Sequence, residues 1–152
     1  MKPRVYADTS VLGGCEDEEF RAPSVRLFEA FLRGEMTLVL SELTLRELET
    51  APEAVRKLVP SVPRAHIEPL GLLPEAEELA EAYIQEGAIG VGMRVDALHI
   101  ALATVARVDV LVSWNFKHIV NLRRIHAYNA VNLKKGYPLL EIRSPREVLS
   151  DE

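Results

Sequence analysis

The chain has 152 residues, which suits one domain with a single hydrophobic core, and we expect one domain over residues 1–152. Its 48% hydrophobic and 27% charged residues are those of an ordinary soluble globular protein. No apolar run approaches the ~20 residues that cross a bilayer, so we expect no membrane span. Asp8 follows only seven residues after the start, so we also expect no signal peptide. Cys15 is the one cysteine in the sequence, which excludes an intrachain disulfide, and we expect a cytoplasmic protein.

The formal net charge of −5 disfavours nucleic acid as a partner, but the charge is unevenly distributed. Residues 1–109 carry 11 Lys and Arg against 19 Asp and Glu, a net of −8, whereas residues 110–152 carry 7 against 4, a net of +3. Five basic residues and no acid lie between Val110 and Leu140, namely Lys117, Arg123, Arg124, Lys134 and Lys135. This basic stretch could hold a phosphate backbone or form a solvated helical face, and the charge pattern leaves both open.

Hydrophobic periodicity and turn residues predict strands that alternate with helices. From the N-terminus, the predicted elements are a strand at Lys2–Ala7, a loop at Gly13–Glu19, a helix at Pro23–Arg33, a strand at Thr37–Leu40, a helix from the N-cap Ser41 to about Thr50, a helix at Pro52–Val59, a short strand at His66–Glu68 and a helix from Pro74 to near Gly87. A loop at Gly87–Gly92, a helix opened by Asp96, a strand at Val108–Val112, helix in two pieces at Lys117–Leu133, a strand at Leu139–Ile142 and a short helix at Ser144–Glu147 complete the chain.

Such alternation predicts a parallel sheet covered by helices on both faces. Ligands of these sheets bind at the carboxyl ends of the strands, near the point where the strand order reverses. Asp8 and Asn115 each follow a predicted strand and therefore lie at that edge. A helix whose first turn carries Asp96 can present this acid to the same place.

Asp96 opens a segment that is otherwise almost wholly apolar, Asp96–Ala103. A helix that is apolar on nearly every side is normally buried. An isolated buried charge is too unfavourable to keep, so this carboxylate must be paired, capped or bound to a cation.

Glu47 is distinguished from its neighbouring acids by its position around a helix. At about 100° per residue, Glu47 lies about 40° from Leu43, within the apolar arc. Glu42 and Glu49 lie on the opposite side and face water. Glu47 is therefore either a partly buried acid paired with an arginine or one of a group of functional acids, and the second interpretation is preferred.

Carboxylates gathered at one site repel each other by about 4 kcal/mol at ~4 Å and an effective dielectric of 20. Either one of them takes up a proton or a cation joins the site. Oxygen ligands without a convergent Cys or His favour Mg²⁺ or Mn²⁺ over Zn²⁺. Such an ion activates water and offsets charge on a phosphate, so the pattern predicts phosphodiester hydrolysis.

Four segments of the chain resemble, in order and spacing, the four motif blocks of PIN-domain proteins, a group that includes the VapC-type ribonuclease toxins. They are Val5–Val11, Thr44–Leu48, Val95–Ala103 and Val110–Phe116. The segments Asn129–Tyr137 and Ile142–Glu147 also resemble one branch of these proteins. Each block alone is weakly specific, but the four together are fairly specific and span nearly the whole chain.

The resemblance implies a three-layer α/β/α sandwich with a central parallel sheet, divalent-metal-dependent ribonuclease activity on RNA, a homodimer and an antitoxin protein as partner. Asp8, Glu47 and Asp96 match the three acids of the family, as catalytic and metal-binding residues. Asn115 occupies the fourth position, where many members have Asp; it can offer a neutral oxygen but cannot act as a base. Thr9 matches a hydroxyl that binds a ligand or water, or caps the turn.

Three functions are considered on this basis. The preferred one is a Mg²⁺- or Mn²⁺-dependent endoribonuclease, the toxin of a toxin–antitoxin pair, with Asp8, Glu47, Asp96 and Asn115 around the ion. The alternative is a catalytically weak or inactive PIN-fold module that binds RNA or a protein partner, because Asn115 replaces an acid. A phosphatase is disfavoured, since Asp8 lacks a second Asp two residues later.

Four other features are expected to be structural. His99 could orient Asp96 but is more often a satisfied core histidine, and Trp114 is expected to pack rather than stack on a base. Cys15 precedes four acids, which should raise its pKa and make it a poor nucleophile. Gly13-Gly14 lacks the lysine of a phosphate-binding loop.

Overall fold

The computed structural model describes residues 2–149. Its centre is a sheet of five strands in the order β3-β2-β1-β4-β5, in which every neighbouring pair is parallel. The strands are β1 (Arg4–Ala7), β2 (Thr37–Ser41), β3 (Ile67–Leu70), β4 (Val110–Val112) and β5 (Ile142–Arg143). The α-helices within the described residues are α1 (Thr9–Gly14), α2 (Arg21–Arg33), α3 (Glu42–Leu48), α4 (Glu53–Arg56), α5 (Pro74–Gln85), α6 (Arg94–Val105), α7 (Leu122–Lys134) and α8 (Pro145–Leu149).

The sheet separates two hydrophobic clusters, because successive strand residues point to opposite faces. Tyr6 of β1 lies in the cluster that includes buried side chains of α5, α6 and α7. Its neighbours Val5 and Ala7 lie in the cluster on the other face, with buried side chains of α1, α2 and α3. The predicted α/β/α sandwich with a central parallel sheet is therefore confirmed.

Two predicted helix ends are found where the sequence places them. Ser41 caps α3, because its Oγ accepts a hydrogen bond from the Thr44 backbone N–H at 3.0 Å. Gly34 ends α2 in the left-handed conformation, with φ of 74°. A Cβ at Gly34 would also lie 2.6 Å from Nε2 of His66, so both backbone and space favour glycine there.

Four predicted elements differ from the structure, and the last of them is the strand predicted at Leu139–Ile142, which is found at Ile142–Arg143. The predicted Gly13–Glu19 loop is wrong at its start, because α1 extends through Gly14, which lies against α2. The predicted Pro52–Val59 helix is reduced to the single turn of α4, followed by a 3-10 turn at Val59–Ser61 that contains a proline. Lys117–Leu133 does not form two helical pieces, because one helix, α7, begins only at Leu122. The side chain of Asn121 caps its N-terminus.

The strand order reverses between β1 and β4, whose carboxyl ends are paired through Ala7 and Val112. The backbone N–H of Asp8 continues this pairing by donating to Val112 O at 3.2 Å. Side chains that follow these two strands meet at the switch point, where ligands of open parallel sheets bind. Among residues 2–149 no helix combines the length and apolarity that a bilayer span requires.

Candidate functional site

Asp8 lies at the end of β1 and is the N-cap of α1. Its Oδ1 accepts hydrogen bonds from Ser10 Oγ at 2.6 Å and from the Val11 N–H at 3.3 Å, while Oδ2 accepts from Ser113 Oγ at 2.6 Å. Only 5% of its surface is exposed. Burial raises the pKa of Asp8, and the nearby charge of His99 and these hydrogen bonds offset part of that rise.

Glu47 lies on α3 and remains about one-third exposed, with 35% of its side chain accessible. Its Oε1 accepts hydrogen bonds from Thr9 Oγ1 at 2.6 Å and from His99 Nε2 at 2.7 Å. Burial alone would raise the pKa of Glu47, but the two hydrogen bonds outweigh it and the pKa lies below its usual value. Its partner is thus a histidine, and the predicted alternative of an arginine partner is wrong. Thr9 binds this acid, while Asp8 caps the turn.

His99 is buried, with 3% exposure, and both ring nitrogens have partners. Nδ1 lies 2.7 Å from the hydroxyl of Tyr6, which in turn donates to Ser41 Oγ at 2.8 Å. Because a carboxylate can only accept, Nε2 carries the proton that bonds Glu47. His99 is therefore a satisfied core histidine as expected, but it holds Glu47 and not Asp96.

Asp96 lies in the first turn of α6 and is half-buried. Its Oδ2 accepts a hydrogen bond from Asn115 Nδ2 at 3.3 Å. The other end of the amide, Asn115 Oδ1, accepts from the His118 N–H at 2.9 Å and so fixes the turn after β4. Asn115 thus presents its N–H groups to Asp96 and its oxygen to the backbone. The neutral amide of Asn115 thus supplies one of the contacts that a cation could make with the Asp96 carboxylate.

The structure brings the four predicted residues to one edge of the sheet through two hydrogen-bond networks, one that contains Asp8, Asn115 and Asp96 and one that contains Glu47. Ser113 connects Asp8 to Asn115, since its Oγ donates to Asp8 and accepts from the Asn115 N–H at 2.9 Å. Thr9, the residue after Asp8, reaches Glu47. We call this group the acidic site.

The fit of a metal ion to the acidic site is mixed. Within residues 2–149, no group of three or more His, Cys, Asp and Glu side chains is arranged to hold a metal ion. Glu47 Oε2 and Asp96 Oδ1 receive no hydrogen bond from a described residue, whereas both oxygens of Asp8 are occupied. The exposed oxygens suit Mg²⁺ or Mn²⁺ in their chemistry. The metal site therefore stays a prediction.

Sequence reasoning missed the hydroxyl groups that organise the acidic site, namely those of Tyr6, Ser10, Ser41 and Ser113. Ser10 Oγ also accepts from the Trp114 N–H at 2.9 Å, so it ties the loop after β1 to the loop after β4. One signal was available, because Ser10, Ser41 and Ser113 all lie at or just after strand ends. Such positions converge at one edge of a parallel sheet.

Trp114 and Cys15 are structural, as expected. Trp114 is 5% exposed and lies between the ring of Phe20, with centroids 4.2 Å apart, and the guanidinium of Arg146 at 5.0 Å. Its Nε1 donates to Ser24 Oγ at 2.8 Å. These contacts cover the indole ring, so little of its surface is accessible for stacking on a nucleic-acid base. Burial, followed by the nearby charge of Glu16, raises the pKa of Cys15 to about 11, which confirms a poor nucleophile.

The sequence matches no protein-family model and no curated protein sequence. Among solved structures, the crystal structure of VapBC2 from Rickettsia felis bound to a DNA fragment from their promoter matches with a TM-score of 0.58 and 13% identity, over 93% of this chain and 98% of that chain. The crystal structure of VapC20 from Mycobacterium tuberculosis, a sarcin-ricin loop cleaving toxin, matches with a TM-score of 0.56 and 14% identity, over 90% of this chain and 98% of that chain. The chain has a VapC-type PIN fold.

The fold that the four motif blocks predict is thus confirmed across nearly the whole chain. At such low identity the likeness concerns the fold alone, and chemistry has to be argued from the acidic site. That site lies at the point where the strand order reverses. It combines the buried carboxylate of Asp8 with the partly exposed carboxylates of Glu47 and Asp96. Glu47 and Asp96 are the two groups that a solvent-borne ligand can reach.

Proposed function

We propose that the chain is a divalent-metal-dependent endoribonuclease that hydrolyses RNA phosphodiesters, and that it is the toxin of a toxin–antitoxin pair. The observation that carries the proposal is that two adjoining hydrogen-bond networks place Asp8, Asn115 and Asp96, and Glu47, at the strand-order switch. A protein of the same fold, VapC20, is a toxin that cleaves the sarcin-ricin loop. Fold likeness by analogy and a built acidic site therefore support the same chemistry.

Mg²⁺ or Mn²⁺ would be held by oxygens of Asp8, Glu47 and Asp96, with Asn115 beside them. When bound, such an ion offsets charge on a phosphate and lowers the pKa of a coordinated water. Glu47 Oε2 and Asp96 Oδ1 are the oxygens best placed for this role, because neither receives a hydrogen bond from a described residue.

The protein's own groups prepare the acidic site for reaction. His99 and Thr9 fix Glu47 through Oε1 and favour its ionised form, so that its Oε2 is available to the ion. Ser10 and Ser113 each donate a hydrogen bond to one oxygen of Asp8 and so orient its carboxylate. Rigid placement of reacting groups is a large part of catalysis in phosphoryl transfer.

The proposed partners are RNA as substrate, an antitoxin protein and a second copy of the chain, in the cytoplasm. The fold neighbour from Rickettsia felis is a VapBC2 assembly on DNA, which supports a protein partner by analogy. The side chains next to Asp96 and Asn115 in the sequence, Val95 and Phe116, are apolar and are 48% and 47% exposed. Exposed apolar side chains close together are typical of protein-binding surfaces.

The test is cleavage of a structured RNA in Mn²⁺ by the native chain, Asp8→Asn and Asp96→Asn. Both variants should lose about 100-fold or more of the activity, since each removes a charge that the ion needs. Asp17→Asn, an exposed acid of the loop before α2, is the matched control and should cleave like the native chain. Native rates in both site variants would remove the acidic site from the reaction.

A second function is favoured by one observation, the N–H of Asn115 at Asp96. A site that satisfies its acid with an amide could bind RNA or a protein without cutting. Asn115→Asp restores the acid and separates the two functions. If the native chain is inert with every divalent ion and Asn115→Asp cleaves RNA, the chain is a binding module; if the native chain cleaves, it is an enzyme.

A further inference from the structure

The basic stretch of the sequence divides into two surfaces in the structure. Lys134 pairs with Glu86 at 3.1 Å, and Lys135 lines a cavity of about 250 Å³ together with two glutamates. These two lysines are compensated by acids. Lys117, Arg123 and Arg124 instead line a cavity of about 290 Å³, together with Gly87, Ala88, Asn121 and Ala127. No acidic side chain lines this second cavity, which we call the α7 cleft.

Arg124 is held in place within the α7 cleft. Its Nη1 donates to Ala88 O at 2.9 Å, and its backbone N–H donates to Asn121 Oδ1 at 3.3 Å. A guanidinium has five N–H groups, so the bond to Ala88 leaves others for a ligand. Lys117 and Arg123 are exposed and form no ion pair with another described residue. One fixed and two adaptable cations thus surround a space without counter-charge.

The α7 cleft lies next to the acidic site. Lys117 follows Asn115 by two residues, in the loop that leads from β4 to α7. Tyr128 of α7 donates to His118 O at 2.6 Å in that loop. Burial raises the pKa of the Tyr128 hydroxyl, the charge of Arg124 lowers it and that of Asp96 raises it again. A single hydroxyl therefore lies within electrostatic reach of the cleft and of the acidic site.

We propose that the α7 cleft binds a backbone phosphate of an RNA strand whose next phosphodiesters lie at the acidic site. The carboxylates there repel a polyanion, and the chain as a whole carries −5, so a strand can approach only where positive charge compensates. The direction in which the strand continues rests on the proposed ribonuclease function. Phosphate binding in the cleft does not.

The experiment measures the affinity of the full chain for a labelled RNA of roughly 12 nucleotides by fluorescence anisotropy, in EDTA at several salt concentrations. Lys117→Ala and Arg123→Ala should each weaken binding roughly three- to tenfold at low salt and reduce the salt slope by about 0.7. Lys135→Ala, a matched loss of one positive charge at the end of α7, should change the affinity less than about twofold. Circular dichroism should show the same thermal midpoint for all, because these side chains are exposed.

Equal weakening by Lys117→Ala, Arg123→Ala and Lys135→Ala would overturn the proposal, since it would indicate general charge attraction. DNA of the same sequence is the second arm, and the cleft variants should weaken its binding by the same factors. If they weaken only RNA, the contact is not to phosphate and the proposal fails. Cleavage in Mn²⁺ is measured separately: a native chain that binds through the cleft but never cleaves refutes the ribonuclease and leaves the cleft standing.

Discussion

Asp8 and Glu47 lie at the same edge of the sheet in opposite electrostatic surroundings. Asp8 is nearly dry, receives hydrogen bonds from neutral groups, and has a raised pKa. Glu47 is one-third exposed and bonded to His99, and its pKa is lowered. Folding is therefore opposed by the ionised form of Asp8, which burial disfavours. The ionised form of Glu47 is instead favoured by its hydrogen bonds in the folded chain.

The largest expected effect comes from removing the histidine that stabilises Glu47. His99→Ala should lower the free energy of unfolding by about 3 kcal/mol, because it opens a cavity and removes a partner of the buried Tyr6 hydroxyl. Urea unfolding followed by circular dichroism measures it. His99→Gln, which can still donate to Glu47, should recover part of any RNA cleavage that the alanine variant loses. Equal cleavage by both variants and the native chain would show that the orientation of Glu47 is unimportant.

An intermediate effect is expected at the helix that Asp8 caps. A Cβ at Gly14 would lie 2.4 Å from Ser24 Oγ and 2.8 Å from Trp114 Nε1, so Gly14→Ala should destabilise the fold by about 2 kcal/mol. Gly13→Ala is the matched control in the same helix. A Cβ there meets nothing within 4 Å, and the change should be neutral or stabilise by up to about 1 kcal/mol. Thermal unfolding of the two variants gives the comparison, and similar midpoints would contradict the tight packing at Gly14.

The smallest effect is a gain of stability at Asp8. Because the folded chain raises the pKa of Asp8, this group favours folding at low pH, and that contribution is lost as pH rises through the folded pKa. Asp8→Asn avoids the penalty of a buried charge and should raise the free energy of unfolding more near pH 7.5 than near pH 4. Urea unfolding in EDTA at both pH values tests this. If Asp8→Asn is less stable than the native chain near pH 7.5, the charge of Asp8 favours folding, as that of Glu47 does, and the difference between the two acids is refuted.

The fold was largely predictable because its signals are local. The N-cap Ser41 and the terminator Gly34 act through neighbouring residues and are found as predicted. The first four apolar strands are also found, whereas the fifth begins only at the last residue of the run that predicted it, Ile142. The α1 helix was missed because two glycines near its end indicate a loop, whereas the close approach of Gly14 to Trp114 is a tertiary contact. Periodicity within one segment carries no information on such contacts.

The acids of the candidate site were predictable as polar residues at the borders of apolar elements, but their partners were not. His99 is one helical turn from Asp96 in sequence, yet in space it bonds Glu47 of another helix. Likewise, the spacing of Asn115 after β4 indicates its place but not which end of the amide faces Asp96. That orientation depends on the His118 N–H, which takes the oxygen.

Trp114, the one tryptophan in the sequence, precedes Asn115 and is enclosed by Phe20 and Arg146. Its backbone N–H is bonded to Ser10, the same residue that holds Asp8. The tryptophan fluorescence of this chain therefore arises from a single indole beside the acidic site. Its emission gives a label-free optical signal for ligand titrations, in which a change of the loop after β4 is read without any added dye.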